Sequence, residues 1–415
     1  VMAPGAITTS TTSSIGNRCG APNSQGTGNC SGTSMAAPHV AGTIALIKQL
    51  YPSLTPFQLE SVLKQTGVNV TDSQNGLTFP RIDVSRVANR LHGWGNDVRL
   101  TNNGSSYEPS LGIDSQGNVH VVWEEYMNGH YEIYYTKLDN NGNTLVDDLR
   151  LTFGSAILPY SFTLNPSLAI DAQGNVHVVW EDHRPGDWEI YYKKLDNNGN
   201  TLINDTRLTF AIGDSVYPSL GIDSQGNVHV TWIDRRSGYR YVYYKKLDNN
   251  GNTLVNERVA NFYISVLNFP PSLAIDAQGN VHVVWTTGTG VGGYGDIFYT
   301  KLDNNGNTLV NAMEITYTSS YSQNPFLDAD SQGDIYVVWE EHTNGPSNIY
   351  YKKLNNSGGT LINDTRLNFN RSFSPSLIVD SQDNVYFVWM GSIIGYKDIY
   401  YTKLDNNGNT FINNT

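Results

Sequence analysis

The sequence predicts a multidomain protein: an α/β piece over residues 1–92, followed by an all-β propeller of six four-stranded blades over residues 93–415. Three observations predict it. A motif recurs six times, anchored at Asp114, Asp171, Asp223, Asp276, Asp330 and Asp380 and ending in Trp123, Trp180, Trp232, Trp285, Trp339 and Trp389. Successive anchors lie 57, 52, 53, 54 and 50 residues apart, and a period near fifty with strand-like content marks a propeller or an array of small sheets. Hairpin signals of the Asn-Gly type sit inside the repeats. Before residue 92, by contrast, residues 40–50 read as a helix apolar on most sides.

Length and charge bound the function. A chain of 415 residues exceeds one compact core, so at least two domains are expected. Net charge is −12 and unevenly placed: residues 1–92 carry +3 and the rest −15. An acidic repeat region argues against nucleic acid, whose phosphates need Lys and Arg to displace counterions, and against anionic membrane surfaces. No apolar stretch reaches membrane-spanning length. A polar, weakly charged composition suits a secreted or cell-surface protein. The chain opens and stops inside motifs, so it is read as a fragment.

Cys19 and Cys30 flank a loop rich in Gly, Asn and Ser. A disulfide there would add roughly 2–3 kcal/mol by closing a short ring, and it would fit an oxidising compartment; two free thiols are the alternative. Four zinc ligands are not assembled here, since the nearest His, His39, lies in the apolar helix.

The string Gly32-Thr33-Ser34-Met35-Ala36-Ala37-Pro38-His39-Val40-Ala41-Gly42 leads into that helix. Ser34 sits at its N-terminus, where free N–H groups and the positive end of the dipole stabilise an oxyanion. Pro38 falls in the first turn, where a missing N–H costs least. A lone Ser before a helix is usually only an N-cap. The full string resembles the nucleophile motif of subtilisin-like serine proteases. Val1-Met2-Ala3-Pro4-Gly5-Ala6-Ile7 resembles that family's strand before the substrate-side loop. Tyr51–Leu59 resembles its next helix start, with a capping box of Thr55 and Gln58 and Pro56 at the first helical position. The resemblance implies that Ser34 is the acyl-forming nucleophile, acting on a protein or peptide substrate without a cofactor. It also implies a triad order of Asp, His, Ser. Residues 1–33 contain no His and no Asp, so these partners are expected upstream and the 415 residues alone are expected to lack peptidase activity. His39, five residues along the helix, is expected to pack internally rather than serve as the base.

Each repeat parses into four strands. In residues 166–209, Pro166–Asp171 is the first and Val176-His177-Val178-Val179-Trp180 the second, rich in β-branched residues. Glu189–Leu195 is the third. Asn197-Asn198-Gly199-Asn200 turns into a fourth ending at Arg207-Leu208-Thr209. Asp97-Val98-Arg99-Leu100-Thr101 matches Asp205–Thr209 and could complete the last blade, sealing six blades into a ring. The rival reading is that further blades follow, seven or eight in all.

The Asp-x-Gln-Gly-Asn turn resembles the Asp-box repeats of sialidase-like propellers, with a longer spacing to the aromatic residue. That likeness covers the repeat style and transfers no glycosidase residue. The anchoring Asp is expected to accept backbone N–H bonds in its own turn, as scaffold. The Leu-Asp-Asn-Asn-Gly-Asn segments at Asp139, Asp196, Asp248, Asp303 and Asp405 resemble a calcium loop, but their Gly comes too early and a hairpin explains them. Gly288–Gly293 spells a dinucleotide fingerprint with no helix after it and is set aside. His120, His177, His229 and His282, replaced by Tyr336 and Tyr386, are expected to pack between blades.

The loops that differ carry Glu124-Glu125-Tyr126, Glu181-Asp182-His183-Arg184 with Trp188, Asp234-Arg235-Arg236 with Tyr239, and Glu340-Glu341-His342. Such a rim suits a glycan, cell-surface or peptide ligand, or else is a solvated belt of salt bridges. Three functions therefore compete: a secreted endopeptidase with a binding propeller, an adhesion protein with a processing protease, and a sialidase-like hydrolase.

Overall fold

The computed structural model describes four short strands within residues 1–99 and most of residues 100–415. The stretches 102–104, 128, 154–161, 265–269, 289–294, 317–320, 343–345, 369–370, 394–395, 407, 409 and 413–415 are outside the described set. The chain divides into two units, Val1–Arg99 and Leu100–Thr415. In the first, Thr8–Thr11 pairs antiparallel with Thr27–Cys30, and Val68–Thr71 with Thr78–Arg81. Ser34, His39, the expected helix and the Cys19 side of the proposed disulfide lie outside the described residues.

The second unit holds six four-stranded antiparallel sheets, each in simple sequence order. These are the six expected blades. Blade 2 shows why the sequence folds this way. Its second strand, Val176–Asp182, is buried along its whole length because it lies in the middle of a blade with a neighbour on each face. Side chains alternate across a strand, so Val176, Val178 and Trp180 pack with Val122, Ile133 and Tyr135 of blade 1. Val179, on the other face, packs with Leu220, Val230 and Trp232 of blade 3. The third strand runs opposite in strict register, with Trp180 across from Tyr191, and the two rings stack at 6.0 Å.

Five apolar clusters of this kind join blades 1–2, 2–3, 3–4, 4–5 and 5–6. A polar link accompanies each. Lys137, Lys194, Lys246, Lys301 and Lys353 reach the hairpin carbonyls of Asn197, Asn249, Asn304, Asn356 and Asn406 in the next blade. The first strands line the axis and the fourth strands face outward. Of the expected closing segment, residues 97–101, the first three lie outside the described set.

The expected Asp turns are present. Asp171 Oδ1 accepts the N–H groups of Gln173 and Asn175 at 3.0 and 2.8 Å. The turn needs a left-handed residue, which is Gly174 at φ 80°. Blade 6 places Asp383 there instead, at φ 61°. Its carboxylate accepts Ser331 N–H and O–H of blade 5, both at 2.8 Å. That inter-blade pair offsets the cost of a non-glycine residue.

Candidate functional site

Two ends of the blades are chemically distinct. At the turn end, the anchoring Asp does more than the sequence suggests. Asp171 Oδ2 accepts Asn175 Nδ2 at 2.8 Å and His177 Nε2 at 3.2 Å, and Lys194 Nζ stands 3.4 Å away. His177 Nδ1 then accepts the Tyr192 hydroxyl at 2.9 Å. Blades 1, 3 and 4 repeat this chain through His120, His229 and His282. Burial opposes ionisation of Asp171, but hydrogen bonds from His177 and Asn175 outweigh it and hold the carboxyl well below the usual range. Burial also keeps the His177 imidazole below its ordinary value, against the pull of Asp171.

The histidines do more than the expected packing. His177 is fully buried on the strand face that also bears Val179, and each histidine ties the Asp turn to a Tyr of its own blade. Both ring nitrogens are spent in doing so, which leaves no lone pair for a metal. The Tyr replacements divide the two jobs. Tyr386 donates to Asp380 at 2.8 Å within its blade, whereas Tyr336 donates to the Asn406 carbonyl of the next blade at 3.0 Å. The calcium-like segments are hairpins: Asp196 Oδ1 accepts N–H from Asn198 and Asn200, both at 2.8 Å.

At the opposite end, two adjoining cavities of about 450 and 370 Å³ lie on the axis. The wider is lined by Glu108, Glu124, Leu164, Asn165, Tyr217, Pro270, Asn324 and Ser374. Glu108, Asn165, Tyr217, Asn324 and Ser374 have φ between 43° and 57°, and each precedes a proline. A residue before proline favours extended backbone, so left-handed geometry here costs of order 1–3 kcal/mol per site. It occurs where the register of first and second strands shifts.

Buried carboxylates hold that strain. Asn165 N–H donates to Glu124 of blade 1 at 3.1 Å, Tyr217 N–H to Glu181 of blade 2 at 2.7 Å, and Ser374 N–H to Glu340 of blade 5 at 2.5 Å. Burial, only partly offset by the Tyr217 and Asn165 bonds, pushes the Glu181 carboxyl up to about 7. Burial raises Glu124 too. Blades 3, 4 and 6 carry Ile233, Thr286 and Met390 at this position, so the mouth is asymmetric.

The expected rim of salt bridges is present in part: Arg184, Arg235 and Arg236 are paired and half-buried, but most of the carboxylates are buried rather than solvated. Glu124, Glu181 and Glu340 are buried. In blades 1, 2, 3 and 5 the acid two residues after the Trp is also buried and accepts the indole N–H: Trp123 to Glu125 at 2.7 Å, Trp180 to Asp182 at 3.1 Å, Trp232 to Asp234 at 3.0 Å, Trp339 to Glu341 at 2.9 Å. Arg184 and Arg236 pair with Asp182 and Asp234 and stack over Tyr191 and Tyr243, at 4.9 and 4.3 Å from the ring centres. The spacing Trp-x-acid was the readable signal for this latch, and the sequence reading passed over it. Aromatic residues are among those that face solvent, beside Glu108 and Asp187. Tyr107, Tyr126 and Tyr239 are exposed, Tyr126 and Tyr107 gather around Tyr131 at 4.9 and 6.2 Å, and His183 lies 5.0 Å from Trp188.

Residues 1–95 match the subtilase family, Peptidase_S8. Curated relatives are of the same kind. Subtilisin-like protease SBT1.9 of Arabidopsis thaliana is 34% identical over 92 residues, 21% of this chain and 12% of that one. Minor extracellular protease Vpr of Bacillus subtilis is 42% identical over 55 residues, 13% and 7% of the two chains. Subtilisin DY of Bacillus licheniformis is 52% identical over 42 residues, 10% and 15%. The chain spans between 4% and 17% of the length of the first three relatives. The subtilase segment therefore carries a serine-protease kind of sequence. The repeat unit resembles solved propeller structures in fold alone. A polysaccharide lyase, an ulvan lyase bound to a GlcA–Rha3S unit, superposes with TM-score 0.54 at 12% identity, over 75% of this chain and 84% of the other. A protein of unknown function from Dyadobacter fermentans gives 0.50 at 10% identity, over 74% and 96%.

Proposed function

We propose that this chain is part of a secreted subtilisin-like serine endopeptidase whose propeller binds a glycan or other polar ligand of the substrate or surface. The observation that carries the peptidase reading is the Gly32–Gly42 string within the matched segment. In this reading Ser34 Oγ attacks the scissile carbonyl, helped by the N–H groups at the helix start. The general base and its orienting acid are supplied by upstream sequence of the parent protein. The 415 residues on their own are inactive. The test is hydrolysis of a peptide substrate, with fluorophosphonate labelling, by the parent protein and its Ser34→Ala variant. Loss of both signals supports the assignment; unchanged hydrolysis by Ser34→Ala removes it.

The propeller reading rests on the axial mouth. Exposed tyrosines offer flat apolar faces with a polar tip, which suits sugar rings and peptide groups alike. The buried carboxylates beneath them fix the floor of that mouth by holding the strained backbone. The alternative, an adhesion protein with a processing protease, shares the same mouth and differs only in whether the parent peptidase cleaves other proteins.

A further inference from the structure

The five seams between consecutive blades repeat one set of contacts, and the faces that would form a sixth do not share it. In blades 2 to 6 the first-strand leucine is buried by the preceding blade: Leu168 6%, Leu220 7%, Leu273 9%, Leu327 2%, Leu377 4% exposed. Its counterpart in blade 1, Leu111, is 65% exposed, and Ile113 beside it 58%. The third-strand residue that receives the next blade is fully buried in blades 1 to 5, as at Ile133 and Ile349. In blade 6 that residue, Ile399, is 69% exposed, and Ile378 and Val388 on the same face are open as well. The hairpin glycines agree. A Cβ at Gly199, Gly251, Gly306, Gly358 or Gly408 would strike the preceding blade within 3.2 Å, whereas at Gly142 it would meet nothing within 4 Å.

We propose that these two faces receive one further four-stranded repeat of the same protein, a seventh blade seated between blades 6 and 1. The occupant follows from the established seams. The blade 6 face presents Val388 and Ile399 as blade 5 presents Val338 and Ile349, which pack with the Leu377, Val385 and Trp389 face of blade 6. The blade 1 face presents Leu111 and Ile113 as blade 2 presents Leu168 and Ile170. One unit with two such faces satisfies both at once. A second copy of the chain would satisfy only one face at a time and leave another open, a head-to-tail contact that does not close.

The sequence register agrees. Thr410-Phe411-Ile412-Asn413-Asn414-Thr415 of blade 6 corresponds to Thr201-Leu202-Ile203-Asn204-Asp205-Thr206 of blade 2. In that register Asn414 and Thr415 correspond to the same two repeat positions as Asp97 and Val98. Residues 97–101 therefore carry the fourth-strand sequence of a different repeat.

The test compares the 415-residue chain with one extended after Thr415 by a copy of residues 207–257. The extended chain is expected to bind severalfold less of the dye ANS, to melt higher and to stay monomeric, with Leu111→Asp lowering the melting temperature only after extension. Equal ANS binding by the two chains overturns the proposal. So does ANS binding that falls with concentration as the 415-residue chain self-associates. Should the extended chain fail to fold, a cross-link decides. Asn140→Cys with Lys403→Cys, in the 415-residue chain, corresponds to the neighbouring pair Lys137 and Asn197. Coupling by a short bismaleimide as efficient as that of Lys137→Cys with Asn197→Cys would mean a closed ring of six and contradict the seventh blade; no coupling supports it.

Discussion

At one end of every described blade the chain turns on an aspartate; at the other, the residues after the tryptophan change from blade to blade. The turn end holds Asp, then a left-handed Gly or Asp, then Asn in five blades and Asp334 in blade 5, with backbone hydrogen bonds to the first Asp that scarcely vary. The mouth has Glu124, Glu181 and Glu340 in three blades and Ile233, Thr286 and Met390 in the others. Identical chemistry in every blade holds blades; a ligand needs one side of the ring to differ from another. The same contrast separates the subtilase segment, where one serine has no counterpart elsewhere in the chain, from the repeat, where each polar residue has up to five.

The largest effect expected is at that single serine. In the parent protein Ser34→Ala should lower kcat by about six orders of magnitude, as for removal of other triad nucleophiles, with no change in propeller melting. Next come the two kinds of Asp turn, which share a hydrogen-bond pattern but differ in burial. Asp171→Ala leaves His177 and Lys194 facing an emptied pocket and should cost about 3–5 kcal/mol, read by denaturant melts. Asp196→Ala, with its bonds at the surface, should cost about 1 kcal/mol. Equal losses would break the distinction between the buried turn and the surface hairpin.

A smaller effect is expected at the mouth. Tyr126→Ala should weaken polysaccharide binding about tenfold, or about 1.4 kcal/mol, with melting unchanged. Smallest is the pH dependence, which sharpens the comparison because the two ends carry opposite signs. The four histidines have lowered folded values, so the stability they contribute is present above their ordinary value of 6.5 and drains away as pH falls below it. Glu181 has a raised folded value, so its contribution is complete below the ordinary value of 4.5 and is lost as pH rises through about 7. Glu181→Gln should therefore flatten the fall in stability between those two values and leave the acid limb intact. Melts across that range check both signs.

Much of this was legible in the residues. The spacing of Asp114 through Asp380, the Val-rich strands and the Asn-Gly turns predict six blades because they are local: a turn and a strand each need only neighbouring residues. The Asp turn could be read for the same reason. The role of His177 could not, because it depends on Tyr192 fifteen residues away reaching back across a strand pair. Nor could the burial of Glu181, which is set by Tyr217 in the next blade. A carboxylate in a loop sequence looks solvated until the neighbouring blade is placed against it. The left-handed residues before Pro166 and Pro218 run against the local preference, and only the inter-blade hydrogen bond makes them intelligible.

The comparison of the two ends is tested most directly by titrating a panel of soluble polysaccharides into the whole chain and two variants. One carries Tyr126→Ala with Tyr239→Ala, both exposed; the other carries Asp196→Ala at a hairpin. The account predicts that the wild-type chain and the hairpin variant bind the same glycan alike, and that the mouth variant loses binding while keeping its melting temperature. Binding that survives in the mouth variant and fails in the hairpin variant would contradict it.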